Sequence, residues 1–78
     1  MSKKIYISPS NQNNNPYSYG STNEMEQCYK IGQACNTALK RCGFTTMLAD
    51  KGQAMYTSIN ESNNFNADVH ICIHTNAG

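Results

Sequence analysis

Two residues far apart in the sequence, His74 and Glu24, carry the side chains best suited to chemistry. His74 follows the run from Val69 to Ile73, which is apolar apart from His70 and rich in β-branched residues. Such a run is typical of a short, buried, central strand of a parallel sheet. Because ligands of open α/β sheets bind just beyond the carboxyl ends of the strands, His74 is a candidate for chemistry. A histidine that only hydrogen-bonds within a loop is the alternative.

Glu24 is the second candidate, because it falls in the first turn of a predicted helix. That helix begins near Thr22 or Asn23, and either residue can serve as its N-cap. Glu26 follows Asn23 at the spacing of a capping box, which strengthens the predicted start. A carboxylate in a first turn also stabilises the helix dipole, so a purely structural role is the alternative for Glu24.

The same helix continues with apolar residues at a helical spacing, which indicates one buried face. Lys40 and Arg41 suit the negative end of the helix dipole, and Gly43 suits the position that ends the helix. The predicted buried face contains Cys28, Ile31, Cys35, Ala38, Leu39 and Cys42.

The chain has four cysteines, and all of them are predicted to be small residues of the core. Cys28, Cys35 and Cys42 follow one another at intervals of about 10 Å along a helix, too far for a disulfide between neighbours. Their spacing is not that of a zinc knuckle either. Cys72 lies within the last strand and receives the same interpretation.

Strands and helices alternate along the chain. Residues 5–8 form a short apolar strand that Pro9 ends, and residues 44–48 form a second strand. Residues 54–65 form a weaker helix, whose partial apolar stripe consists of Ala54, Met55, Ile59 and Phe65. The order β-α-β-α-β predicts an α/β fold in three layers, a parallel sheet with helices on both faces and the first strand in the middle.

This arrangement brings three separate points of the chain to one edge of the sheet. They are Asn11 after the first strand, Glu24 at the start of the first helix, and His74 after the third strand. An imidazole and a carboxylate that meet at a helix N-terminus are suited to zinc. His70 cannot easily join them, because it lies about 13 Å from His74 along the strand while zinc ligands lie about 2 Å from the metal.

Composition excludes several classes of function. The net charge is +1 and the basic residues are scattered, so no nucleic-acid-binding stripe is expected. No apolar run approaches the roughly 20 residues that span a bilayer, so no membrane partner is expected. The basic N-terminus lacks a signal-peptide core, which predicts a protein that is made in the cytoplasm or exported without a recognisable Sec signal.

The most specific motif is the segment 67–77, Ala-Asp-Val-His-Ile-Cys-Ile-His-Thr-Asn-Ala. It is similar to the pattern A-D-x-x-x-x-I-H-x-N-A of the N-acetylmuramoyl-L-alanine amidases, zinc-dependent cell-wall hydrolases of the amidase type 3 group. The resemblance covers nearly the whole chain and extends to Asn63, and to the first strand with Pro9. It implies that residues 1–78 are the N-terminal part of an amidase catalytic domain, with no second domain. It also implies His74 and Glu24 as zinc ligands and peptidoglycan as the substrate.

The chain departs from this family at two points. Asn11 stands where the family has its first zinc-binding histidine, and an amide oxygen is a poor zinc ligand beside imidazole. The family also continues past the H-x-N motif to a glutamate that acts as general base, which here would lie beyond Gly78. We therefore expect an incomplete domain whose cleavage of the bond between N-acetylmuramic acid and L-alanine is weak or lost.

Two other functions stay open. The first is a peptidoglycan-binding module that keeps the fold without the metal, which Asn11 favours. The second is a flavodoxin-like module, although no Gly-rich phosphate loop follows the first strand. If the enzyme interpretation holds, action on the bacterial cell wall is expected, as in a phage endolysin, a spore-lysis enzyme or an autolysin. A sheet that stops after its third strand leaves an open edge, so self-association through that edge is expected.

Overall fold

A computed structural model describes residues 3–10 and 24–74 of the chain, with Glu24 described by its backbone alone. The elements are β1 (Lys4–Pro9), α1 (Glu24–Arg41), β2 (Thr45–Leu48), α2 (Met55–Phe65) and β3 (Val69–Ile73). The three strands are parallel and lie in the order β2-β1-β3. These findings confirm the predicted α/β fold, its β-α-β-α-β order and the central position of the first strand.

The alternation of side chains along β1 gives the sheet two different faces. Ile7 and Pro9 point to one side, where they approach Gly32 of α1, and we call this side the α1 face. Tyr6 points to the other side, where its hydroxyl bonds to Glu61 of α2, and we call this side the α2 face. The two helices therefore cover opposite faces of the sheet, as the connectivity predicts.

On the α1 face, the helix lies very close to the sheet at Gly32. A Cβ atom added to this buried glycine would lie 2.8 Å from Pro9 Cγ and 3.1 Å from Leu48 Cδ1. Only glycine fits this contact without a shift of the proline ring. The absence of a side chain at this position thus sets how closely α1 packs on β1 and β2.

On the α2 face, small polar residues take the place of the predicted apolar stripe. Ser58 and Ser62 are the buried residues of α2, whereas Met55 is 39% and Ile59 is 48% exposed. The predicted stripe of α2 was therefore wrong at Met55 and Ile59. The physical reason is Tyr6: its fully buried ring already fills the space under α2, so small side chains face it.

The cysteine prediction holds only in part. Cys28 is fully buried against the sheet and Cys35 is half-buried, but Cys42 and Cys72 are exposed. Cys42 lies past the end of α1, and Cys72 lies on β3, an edge strand of the sheet in the described ranges. None of the four forms a disulfide, in agreement with their spacing.

β3 differs from the buried central strand that its composition favours. Of the strands in the described ranges, it lies at one edge of the sheet, and Val69 is 46% exposed. The central strand is β1, in which Ile5, Tyr6 and Ile7 are all buried. A run of apolar residues alone does not distinguish a central strand from an edge strand that awaits a neighbour.

Each helix is followed by a residue with a positive φ, and the sequence predicts this for Gly43 after α1. Gly43 follows α1 with a φ of 95°, and its N–H bonds to the carbonyl of Lys40. Asn66 ends α2 in the left-handed region, with its N–H bonded to the carbonyl of Asn63. Within the described ranges, neither helix has the length and apolar character needed to cross a membrane.

Candidate functional site

The carboxyl ends of β1 and β3 are joined directly. The N–H of Ser10, just after β1, donates to the carbonyl of Ile73, the last residue of β3, at 2.9 Å. His74 is the next residue and is exposed. The end of β1 therefore lies beside the end of β3, which His74 follows. Asn11 itself lies outside the described residues.

The first turn of α1 lies at this same edge. Glu26 forms an ion pair with Lys51 in the loop after β2, with 3.0 Å between Lys51 Nζ and Glu26 Oε1. Met25 Sδ is 3.0 Å from the position of a Cβ atom on Gly52 in the same loop. The capping-box partners predicted for Glu26, Thr22 and Asn23, lie outside the described residues.

The side of α1 that carries Asn36 faces β2, because Asn36 Oδ1 accepts a hydrogen bond from the Thr46 hydroxyl. The first turn of α1 and the end of β3 lie at the same edge of the sheet.

The metal site predicted at this edge stays a prediction. Among the described residues, no group of three or more His, Cys, Asp or Glu could hold a metal ion. Two of the three predicted positions, Asn11 and the side chain of Glu24, fall outside that description. His74 is the predicted ligand that the structure does describe, and it is exposed where the motif places it.

A second group of polar side chains, which sequence reasoning missed, lies on the α2 face. His70 Nε2 is 2.7 Å from the Ser8 hydroxyl oxygen. The same hydroxyl donates to Cys72 Sγ at 3.5 Å. The His70 ring meets the Tyr6 ring edge-to-face, with 4.9 Å between the centroids and 67° between the planes. His70 is therefore held by β1, far from the edge that carries His74.

The hydroxyl of Tyr6 extends this polar cluster into α2. It donates to Glu61 Oε1 at 2.6 Å. Gln53 Nε2 lies 3.0 Å from the Tyr6 hydroxyl, from Ser58 Oγ and from Glu61 Oε1. In the described parts of the chain, every buried side-chain nitrogen or oxygen has a hydrogen-bond partner. The cluster thus supplies the partners that buried polar groups need.

The cluster also changes the acidity of its two titratable members. Burial raises the pKa of the Tyr6 hydroxyl above its usual 10.0, and its hydrogen bond to Glu61 acts in the same direction. The hydrogen bonds from Tyr6 and Gln53 lower the pKa of the Glu61 carboxyl below its usual 4.5. Both shifts favour the pair found here, a neutral phenol that donates to a carboxylate.

The burial of Ser8 favours a structural role for the hydrogen bond between Ser8 and His70 over a role in nucleophilic catalysis. A serine beside a histidine base can attack a carbonyl only where a substrate reaches its hydroxyl. Ser8 is 2% exposed, and its hydroxyl is in contact with His70 and Cys72 of β3. The sequence signal for this cluster is modest: His70 is the polar residue inside an apolar strand, and the period of two places it on the same side as Cys72.

The chain matches no protein-family model, no curated protein and no solved structure. A functional conclusion therefore depends on the residues at the carboxyl edge of the sheet and on the motif around His74.

Proposed function

We propose that this chain carries the metal-binding edge of a peptidoglycan amidase, which hydrolyses the amide between N-acetylmuramic acid and L-alanine. The observation that supports this best is the hydrogen bond from Ser10 to Ile73. It joins the end of β1 to the residue before His74, at the edge where α1 begins. The family motif requires its ligands to meet at that edge.

The donor set fits zinc at two positions and fits it poorly at the third. The exposed imidazole of His74 and a carboxylate at position 24 are ligands that zinc takes in proteins. The amide of Asn11 is a weak donor beside them. When bound, zinc would polarise the scissile carbonyl and lower the pKa of a water molecule to about 7.

The fold would hold the two proposed zinc ligands, His74 and Glu24, in place. His74 directly follows β3, so the hydrogen-bonded end of the sheet fixes its backbone. Glu24 begins α1, whose approach at Gly32 fixes the helix on the sheet. Peptidoglycan is the proposed partner, and the proposed place of action is the bacterial cell wall.

Zinc binding by the purified chain tests this proposal without reliance on catalysis. Isothermal titration should detect a site that His74→Ala and Glu24→Gln each remove. The matched controls are His70→Gln, which can keep a hydrogen bond to Ser8, and Glu26→Gln, whose carboxylate lies on the β2 side. Both controls should leave the affinity unchanged, and a loss of zinc equal to that in the test variants would contradict the proposal.

Asn11→His provides a sharper test, because it adds the donor that the motif lacks. We expect the affinity for zinc to rise about tenfold or more, since that requires only about 1.4 kcal/mol from the added ligand. The gain should vanish when His74→Ala is added. An affinity that does not respond to Asn11→His would mean that position 11 does not face the site.

A peptidoglycan-binding module without metal is the second candidate, and Asn11 is the observation that favours it. In that case, the chain should sediment with purified cell walls equally well in the presence of a chelator. His74→Ala should then leave cell-wall binding unchanged.

A further inference from the structure

We propose that His70 and Cys72 form a binding site for a soft monovalent metal ion, Cu(I), on the α2 face of the sheet. The ligands are the imidazole nitrogen Nε2 of His70 and the sulfur of Cys72. This site shares no ligand with the zinc site proposed above, so each of the two proposals can fail without the other.

The fold brings the two donor atoms together on one side of β3. Residues two apart along a strand point to the same face, and here both side chains contact Ser8 of the neighbouring strand. His70 Nε2 lies 2.7 Å from the Ser8 hydroxyl oxygen, and Cys72 Sγ lies 3.5 Å from the same oxygen. The nitrogen and the sulfur are therefore neighbours of one atom.

This placement is close to what a shared ion requires. Metal distances of about 2.0 Å to an imidazole nitrogen and about 2.3 Å to a thiolate sulfur put the two ligand atoms roughly 4 Å apart or less. Two atoms in contact with the same oxygen need only a small side-chain rotation to reach that separation. Cys72 is exposed and forms no disulfide, so its thiol is accessible and has room for the rotation.

The surrounding side chains hold the histidine in place. The His70 ring meets the Tyr6 ring edge-to-face, and its Nε2 contacts the Ser8 hydroxyl. Tyr6 is fully buried and Ser8 is 2% exposed, so both contacts come from the buried part of β1. Metal-binding histidines are typically oriented by neighbouring groups of this kind. Ser8 and Tyr6 are therefore positioning residues for the proposed site.

The number and the type of the ligands favour Cu(I) over zinc. Thiolate is a soft ligand that selects Cu(I), and imidazole also binds copper. Zinc in proteins almost always takes four ligands. In the parts of the chain that the structure describes, no set of three or more His, Cys, Asp or Glu side chains could hold a metal ion. Cu(I) accepts as few as two ligands, which this pair supplies.

One proton leaves the protein when the ion binds. The Cys72 thiol releases its proton to solvent and binds the ion as a thiolate. The neutral imidazole of His70 carries its proton on Nδ1 and offers the lone pair of Nε2. The Ser8 hydroxyl, which donates to the sulfur in the free protein, can continue to do so in the complex. Copper remains cuprous throughout, so the step needs no oxidant or reductant.

Competition with the chromogenic Cu(I) chelator bathocuproine disulfonate, in the absence of oxygen, measures the affinity of the whole chain for the ion. The native chain should bind one Cu(I). Cys72→Ser and His70→Gln should each lower the affinity about tenfold or more, because each removes one ligand. His70→Gln can keep a hydrogen bond to Ser8, so its effect reports the loss of the imidazole ligand.

Three controls separate this pair from the other cysteines and from His74. Cys42→Ser removes another exposed thiol and should leave the affinity for Cu(I) unchanged. Ile71→Cys combined with Cys72→Ser keeps the number of thiols but moves one to the opposite face of β3, so it should bind as weakly as Cys72→Ser alone. His74→Ala should remove zinc and keep Cu(I), whereas His70→Gln should keep zinc and lose Cu(I).

The proposal is overturned if Cys72→Ser, His70→Gln or the variant with the moved thiol binds Cu(I) as tightly as the native chain. It is also overturned if Cys42→Ser or His74→Ala loses the ion while its circular dichroism is unchanged. X-ray absorption at the copper edge tests the native complex without any substitution, and decides where a variant does not fold. One nitrogen and one sulfur neighbour are expected, and a shell of sulfur alone would contradict the site.

Discussion

The two faces of the sheet are covered by helices in different ways. On the α1 face, the contact is steric: Gly32 lets the helix lie against Pro9 and Leu48 with no room for a methyl group. On the α2 face, the contact is polar: Tyr6, Gln53 and Glu61 bond to one another beneath the helix. One face should therefore respond to changes of volume, and the other to the loss of hydrogen bonds and to pH.

The largest effect is expected from Ile7→Ala on the α1 face. Ile7 is fully buried, and truncation of a buried isoleucine costs about 2–5 kcal/mol because a cavity remains. Urea unfolding followed by circular dichroism measures the loss. The control is Ile59→Ala on α2, which is 48% exposed and should cost clearly less. Equal losses would mean that the α1 face is not the tightly packed one.

A smaller effect is expected from Tyr6→Phe on the α2 face. This change keeps the ring and removes the hydroxyl that joins Glu61 and Gln53. The loss should be about 1–2 kcal/mol, the usual cost of a hydrogen bond to a charged partner that water can partly replace. Tyr56→Phe is the control, since Tyr56 is 73% exposed and should leave the free energy of unfolding unchanged. If Tyr6→Phe has the same free energy of unfolding as the native protein, the hydrogen bonds of the Tyr6 hydroxyl do not contribute to stability.

The smallest effect is a dependence of stability on pH that belongs to the α2 face. Because the pKa of Glu61 is lowered in the folded state, its contribution is present above its usual 4.5 and is lost as the pH falls through the lowered pKa. Because the pKa of Tyr6 is raised, its contribution is present below 10.0 and is lost as the pH rises through the raised pKa. Unfolding measured between these limits and beyond them tests both.

Glu61→Gln separates the two contributions. It should flatten the acid limb, because no carboxylate remains to bind a proton, and leave a basic limb from Tyr6. The result that contradicts this assignment is an acid limb of unchanged size in Glu61→Gln.

Much of the fold could be predicted from the sequence because its signals are local. The helical spacing and Gly43 predict α1 and its end, and the structure ends that helix at Arg41 with Gly43 at a φ of 95°. The β-branched run 69–73 defines β3 to the residue. The first strand proved longer than predicted, because Pro9 sits at its end, where a missing N–H costs little.

The polar cluster could not be predicted because its partners are distant in sequence. Tyr6 and Glu61 are 55 residues apart, and Ser8 and His70 are 62 apart. Nothing in the period of α2 marks Ser58 and Ser62 as its buried side until Tyr6 is known to lie beneath them. The edge that carries His74 was predictable as a place, since parallel connectivity fixes it, while its ligands depend on residues outside the described ranges.

The close approach at Gly32 has a consequence for sequence variation. A larger residue at position 32 would push on a rigid proline ring and on the end of a leucine side chain. In related chains, alanine or serine at that position should therefore occur together with a smaller residue at position 48, or with a residue other than proline at position 9. Substitutions at these three positions should therefore occur together. A library that randomises positions 9, 32 and 48 jointly should yield folded variants in which a larger residue at position 32 is accompanied by a change at position 9 or 48.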